Sequence, residues 1–344
     1  MLEKTIVKAP ARLHFGLFSV GDVSERKFGG VGLMLKQPNT VIHCEPNESL
    51  KITGPSSEDA LKSIQSLFKN LRPELSSNFD INAIEEIPFH IHVDSIPARH
   101  SGFGSGTQLA LATAAAISHS LGLPTPAPEE MAATLERGKR SAIGTYGFCR
   151  GGFLVDRGKL SDELLAPLDF QSDFPIEWDI VLLNLKNCQG VSGVQEMNAF
   201  DRLVPSSEQH RSAMIEMVKS DIIPGVLQKD YDQFGEAIFE FGLRSGLMFE
   251  AVQGGAYQSE PVAELVNQVR TSGVKAVGQS SWGPCVFAIT PGQNQTSDLT
   301  KHLTDCYGKE LEVVVTKAAN QGSQISKVIA NPNDSEKDRC QHLE

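Results

Sequence analysis

The stretch that most constrains this chain is Ile96-Pro-Ala-Arg-His-Ser-Gly-Phe-Gly-Ser-Gly-Thr-Gln-Leu-Ala-Leu-Ala112, a glycine-rich turn that opens into an apolar run. From Leu109 to Leu121, Leu, Ala and Ile fall on every side, so the helix predicted there runs through the middle of a domain. Ahead of it, Pro88-Phe-His-Ile-His-Val-Asp94 alternates apolar and polar residues with the period of a strand. Gly102, Gly104 and Gly106 permit positive φ and leave the amides of Ser105, Gly106 and Thr107 uncovered. Those amides sit at a helix start, where unpaired N–H groups and the positive end of the helix dipole attract phosphate. A turn that needs glycine for packing alone explains the same residues equally well. Neither G-x-x-x-x-G-K-[ST] nor G-x-G-x-x-G occurs at this junction.

At 344 residues the chain exceeds what one hydrophobic core usually supports, so two domains are expected. Its net charge of −11 argues against wrapping nucleic acid or lying on an anionic membrane. The start, Met-Leu-Glu-Lys-Thr-Ile-Val-Lys, reads as a strand without a signal peptide's apolar core, and no apolar run reaches the ~18 residues of a membrane helix. A cytoplasmic protein is expected. The 6 cysteines are scattered, with no C-x-x-C pair and no clustered histidines, the pattern of reduced thiols and not of a zinc site.

Strands are predicted over 5–11 and 12–18, then a polar turn, Ser19 to Lys27, that carries Asp22, Arg26 and Lys27 into Phe28-Gly-Gly-Val-Gly-Leu-Met34. Strands at 41–45 and 50–54 and a helix over 57–71 follow, with a loop and short helix over 71–86. After a helix from Pro128 to Arg137, the run to Asp156 holds four cations, Arg137, Lys139, Arg140 and Arg150, among glycines and small hydroxyl residues. It ends in a strand at 153–156 and reads as a second anion site. Residues 162–177 lead into a second domain. It holds a strand at 178–184, helices over 208–227, 231–245, 261–272 and 296–306, and strands at 274–279, 285–289 and 311–316, with a last short segment at 325–329. The expected division is 1–170 and 171–332, with a disordered tail at 333–344.

Three regions in this order, Ala9-Pro-Ala-Arg-Leu-His-Phe-Gly16, Pro97 to Leu109 and Gly278-Gln-Ser-Ser-Trp-Gly-Pro-Cys285, resemble the GHMP kinase superfamily of small-molecule kinases. The resemblance implies an α+β fold, with an N-terminal domain like ribosomal protein S5 domain 2 and a ferredoxin-like C-terminal domain. In that family the second region cradles phosphates and the third reaches into the same cleft. Two departures stand out. Where the kinases commonly carry an aspartate, eight residues before a Gly-Gly pair, this chain has Gly144; and the usual Gly-Leu-Gly-Ser-Ser-Ala is Gly102-Phe-Gly-Ser-Gly-Thr107.

A non-kinase branch fits the departures. Arg12-Leu-His-Phe-Gly-Leu, the Asp22/Arg26/Gly29-Gly30-Gly32 loop, Gly104-Ser-Gly-Thr-Gln-Leu-Ala-Leu, Arg137-Gly-Lys-Arg-Ser-Ala-Ile-Gly-Thr and Gly151-Gly-Phe-Leu-Val-Asp are similar to the β-ribofuranosylaminobenzene 5′-phosphate synthase family. The resemblance implies condensation of phosphoribosyl pyrophosphate with 4-aminobenzoate or 4-hydroxybenzoate on the route to tetrahydromethanopterin, releasing pyrophosphate and carbon dioxide. It also implies Mg²⁺, no organic cofactor and a homodimer. Asp22, Arg26, Lys139 and Arg140 would serve the ribosyl cation and the leaving group. Arg12, His14, Gly102, Gly104, Ser105, Gly106, Thr107, Gln108, Ser280 and Ser281 would bind phosphate or substrate, and Glu136 is a possible magnesium ligand. An ATP-dependent kinase and a binding protein without turnover are the rival readings.

Overall fold

A computed structural model describes residues 3–21, 26–70, 87–186, 188 and 203–329. Asp22, the loop and short helix expected over 71–86 and the tail at 333–344 lie outside the described residues. The first half runs β1 (Glu3–Leu17), β2 (Gly30–Pro46), β3 (Lys51–Thr53), α1 (Ser57–Asn70), β4 (Phe89–Ser95), α2 (Ser105–Ser120), α3 (Pro128–Thr134), α4 (Ile143–Arg150), β5 (Phe153–Asp156) and β6 (Leu168–Ser172). The second runs β7 (Asp179–Leu185), α5 (Glu208–Met217), α6 (Ile223–Gln228), α7 (Tyr231–Leu247), α8 (Glu260–Thr271), β8 (Ala276–Gln279), β9 (Val286–Thr290), α9 (Gln293–Tyr307), β10 (Leu311–Thr316) and β11 (Gln324–Ile329). The helix expected over 208–227 is continuous but passes through a π turn at Val218–Ile222.

In the first sheet the order is β11-β1-β2-β4-β3, with β5 beside β2 and β6 beside β5. The second, β10-β7-β9-β8, is antiparallel throughout. With α8 and α9 against it, this is the ferredoxin-like arrangement that the resemblance implies. Two details differ from the expected division of the chain. The boundary at 170/171 falls inside β6, and β11 leaves the second domain to pair with β1.

One irregularity in β1 positions the site. The pairing of β1 with β2 shifts register between Pro10 and Ala11, and such a bulge re-aims the side chains that follow. Val7 and Ala9 pack in the core that contains α2, whereas Ala11, Leu13 and Phe15 pack in the core shared with the second domain. Arg12 and His14 therefore emerge on the side of α2. Helix α2 is buried on every side from Gln108 to Ser118, as its composition requires. The shared core joins the two halves: the Phe15 ring meets that of Phe287 edge-on at 5.0 Å, and Phe234 and Phe241 of α7 lie in the same cluster. Any cleft along this seam thus has walls fixed by one continuous core.

Within the cationic run up to Asp156, where the sequence predicts no helix beyond Arg137, residues 143–150 form α4. Its glycines serve packing: a Cβ on Gly147 would press into Met34, and Gly144 faces α2. The helix start is tied down by Asp156, which accepts the Ala142 N–H at 2.9 Å. The histidines also differ from expectation. Sheet pairing sets His43 opposite His92 and Glu45 opposite His90, and Thr53 Oγ1 lies 2.9 Å from both His90 Nε2 and His92 Nδ1. Strand alternation places such residues on one face, a proximity invisible to linear spacing. Among the described residues no group of three His, Cys, Asp or Glu is arranged to hold a metal, and no helix is long and apolar enough to cross a membrane.

Candidate active site

A cleft of about 410 Å³ opens along the seam, lined by both cationic and aromatic side chains. Arg12, Arg137, Lys139 and Arg140 are among its lining residues, and so are Phe15, Leu17, Phe249, Tyr257 and Trp282. The Trp282 and Phe249 rings meet edge-on at 5.0 Å.

The cleft reaches the start of α2, from which Thr107 lines it, and Arg12 lies beside that turn. Gly104 precedes the helix at φ 66°, a left-handed conformation that favours glycine, and no side chain caps the helix. The N–H groups of Thr107 and Gln108 both return to Gly104 O, at 3.0 and 3.1 Å. The amides left for a ligand are therefore those of Ser105 and Gly106, not the three expected. The Arg12 guanidinium lies over this turn: a Cβ on Gly104 would come within 2.9 Å of Arg12 Nε. A full cation and the positive end of a helix dipole thus point at one place, the arrangement that binds phosphate.

Gly106 has helical backbone, not the positive φ expected, and nothing lies within 4 Å of where its Cβ would project. Gly106→Ala is expected to leave thermal stability unchanged or raise it by up to about 1 kcal/mol, because alanine is the better helix former. Binding of phosphoribosyl pyrophosphate should weaken severalfold as the methyl crowds the amide. Denaturation and titration of the same variant check both.

Arg137 is a half-buried cation of this group that carries a sealed donor: its Nε is buried with no hydrogen-bond partner among the described residues. Burial pushes its pKa below the ordinary arginine value, with Asp59 and Glu136 opposing. An unsatisfied buried donor costs about 1–3 kcal/mol. Lys139 Nζ lies 3.7 Å from Glu136 Oε2, both side chains largely exposed.

Two backbone loops from opposite ends of the chain meet beneath the cleft. A Cβ on Gly102 would strike the Ser280 carbonyl, and one on Gly283 would strike the backbone of Ser101 and Gly102. Ser280 is fully buried and ties the seam, its hydroxyl donating to Gly102 O at 2.8 Å and accepting the His14 N–H at 3.1 Å. It is therefore a structural tie. Ser281, exposed, lines the cleft, its N–H donating to His14 O at 3.0 Å. Gln108 is buried and joins α2 to α4 through Nε2 and Gly144 O at 2.8 Å.

His14 is 3% exposed and lines the same cleft. Its Nε2 lies 3.1 Å from Ser141 Oγ, and Ser141 donates to Asp156 Oδ2 at 3.0 Å. Burial, with the nearby Arg12 cation, holds His14 well below its usual pKa. Arg26 is not brought to the cleft. Its guanidinium makes two 2.8 Å bonds to the Glu163 carboxylate and one of 2.9 Å to Gly158 O, so it fastens a neighbouring loop.

The sequence places Arg137 in the cationic run but gives no site role to Ser141, Asp156, Phe249 or Trp282. Nothing in spacing joins Phe249 and Trp282 to residues near 12.

The same order of pieces is found in known proteins. Residues 62–152 match the model of the GHMP kinases N terminal domain, and residues 222–308 match that of the GHMP kinases C terminal. The chain is 27% identical over 339 residues to a beta-ribofuranosylphenol 5'-phosphate synthase of Methanothermobacter thermautotrophicus, covering 95% of this chain and all of that protein. It is 29% identical over 342 residues to the protein of the same name from Methanocaldococcus jannaschii, covering 93% of this chain and 99% of that one. Among solved structures, a homoserine kinase from Cytophaga hutchinsonii superposes with a TM-score of 0.64 at 16% identity, over 94% of this chain and 97% of that one. A mevalonate diphosphate decarboxylase from Enterococcus faecalis gives 0.62 at 17%, over 95% and 100%. Those two share the fold alone. Since the N-terminal and C-terminal GHMP kinase domains both match, in order, the chain belongs to the GHMP kinase superfamily.

Proposed function

We propose that the chain is a decarboxylating phosphoribosyltransferase. It would join phosphoribosyl pyrophosphate to a para-substituted benzoate and form a C-riboside 5′-phosphate on the route to tetrahydromethanopterin. The observation that carries this reading is a cleft whose lining combines four cations and the start of α2, which suit a pyrophosphate, with aromatic side chains that suit a benzoate ring. The relatives are named for a phenol product, which favours 4-hydroxybenzoate over 4-aminobenzoate as acceptor.

In this reading Arg12, Arg137, Lys139, Arg140 and the amides of Ser105 and Gly106 take the charge that develops on pyrophosphate as the ribose C1–O bond breaks. Asp22, outside the described residues, carries the carboxylate assigned to stabilising the cationic ribose, and unchanged turnover in folded Asp22→Asn removes it from the mechanism. The ring carbon bearing the carboxylate attacks C1, and the C–C electron pair of the departing carbon dioxide restores aromaticity. The donors also fit Mg²⁺. That ion binds through one or two carboxylates plus substrate phosphates, and Glu136 is the carboxylate among the cleft-lining residues. A bound ion would add neutralisation of the pyrophosphate.

Gly144 separates this reading from phosphoryl transfer. A Cβ there would lie 3.4 Å from Thr107 Cγ2 and 3.9 Å from Arg12 Cδ, so a carboxylate can be accommodated beside Arg12. Gly144→Asp should raise the KM for phosphoribosyl pyrophosphate about tenfold or more by neutralising Arg12, without creating kinase activity. The direct test supplies both substrates and Mg²⁺ and identifies products by mass. One pyrophosphate per aryl C-riboside is expected, and an ATP-dependent phosphate ester in its place would reverse the reading.

A further inference from the structure

The buried chain His14–Ser141–Asp156 is more than an anchor for α4. The Ser141 hydroxyl has one hydrogen, and it points to Asp156 Oδ2 at 3.0 Å. Its lone pairs then receive the Ile143 N–H at 3.3 Å and His14 Nε2 at 3.1 Å. Nε2 must therefore carry the imidazole hydrogen, which leaves Nδ1 of a neutral ring as an acceptor. Asp156 is fully buried and also accepts Ala142 N–H at 2.9 Å and Gly158 N–H at 3.0 Å. Burial pushes its carboxyl up to about 6 even so. Because burial and Arg12 disfavour an imidazolium at His14, a proton reaching Nδ1 is best passed on and not held.

We propose that His14, through Ser141 and Asp156, takes the para-hydroxyl proton of the acceptor as its ring attacks and returns it once carbon dioxide has left, an inference that rests on the phenol-forming reading above. The balance closes without a further reactant. The hydroxyl proton moves to His14 Nδ1, the Nε2 proton to Ser141 and the Ser141 proton to Asp156. The oxide then pushes electrons through the ring as the ring-carbon-to-C1 bond forms and pyrophosphate leaves. Loss of carbon dioxide returns the electron pair to the ring as phenolate, and the three protons move back. A para-amino group needs no such transfer, because its nitrogen lone pair donates with both hydrogens in place. His14 is the catalytic residue of this chain; Ser141 and Asp156 act through it.

The test compares wild type with His14→Gln and Ser141→Ala on three acceptors: 4-hydroxybenzoate, 4-aminobenzoate and 3,5-difluoro-4-hydroxybenzoate at a pH where its hydroxyl is already ionised. With 4-hydroxybenzoate both variants should lose about 100-fold or more in kcat, the usual worth of general-base catalysis. With the fluorinated acceptor, and with 4-aminobenzoate if wild type accepts it, the loss should shrink to about threefold. Equal losses on every acceptor that wild type uses, in folded variants, would mean that the chain only holds structure and would overturn the relay alone. A wild-type enzyme inert with all three overturns the parent reading and the relay with it.

Discussion

Arg12→Ala should lower kcat/KM for phosphoribosyl pyrophosphate by about 10²–10³, the loss usual when one preorganised donor is removed from developing negative charge. The guanidinium stands within contact distance of the turn that starts α2, so its charge and the helix amides act on the same anion. Lysine should recover only part of the loss, because an ammonium cannot reproduce the planar fork against phosphate oxygens. Steady-state kinetics with each substrate varied in turn separates the effects: on the proposed reading the defect should fall on phosphoribosyl pyrophosphate and not on the benzoate.

Gly283→Ala should cost about 3 kcal/mol of stability and remove most turnover, although residue 283 carries no functional group. Its added Cβ would enter the backbone of Ser101 and Gly102, atoms that cannot rotate away as a side chain would. Relief requires the 280–284 loop to separate from the glycine turn. That movement would break the Ser280 hydroxyl bond to Gly102 O and shift His14, whose N–H and C=O are both bonded to this loop. Thermal denaturation and activity of the variant, set beside Gly106→Ala, show whether glycine is needed for close approach at one position and for ligand access at the other.

The parts of this account legible in the sequence are those governed by local pattern. The uniform apolarity of 109–121 predicts a central helix, and glycines before it predict the uncapped start that Gly104 provides. Alternation at 88–94 predicts β4. Helix α4 is hard to read in the sequence because its glycines look like turn formers, whereas Gly147 is pressed against Met34 and Gly144 lies in ordinary contact with α2. Arg26, a cation on a glycine-rich loop, looks like an anion contact. Its partner Glu163 lies 137 residues away, so the ion pair that occupies it has no local trace. The same holds for Asp156, which reads as the end of an apolar strand and meets Ser141 and Ala142 only because β5 runs beside the start of α4.

The central claim is that one cleft holds a pyrophosphate leaving group against an aromatic acid that loses its carboxylate. Its most direct test is release of labelled carbon dioxide from carboxyl-labelled 4-hydroxybenzoate, with purified full-length protein and Mg²⁺, in the presence and absence of phosphoribosyl pyrophosphate. The account predicts release only when phosphoribosyl pyrophosphate is present, in equal amount to pyrophosphate. Folded protein that consumes ATP to phosphorylate a small alcohol, and releases no label from either 4-hydroxybenzoate or 4-aminobenzoate, would contradict it.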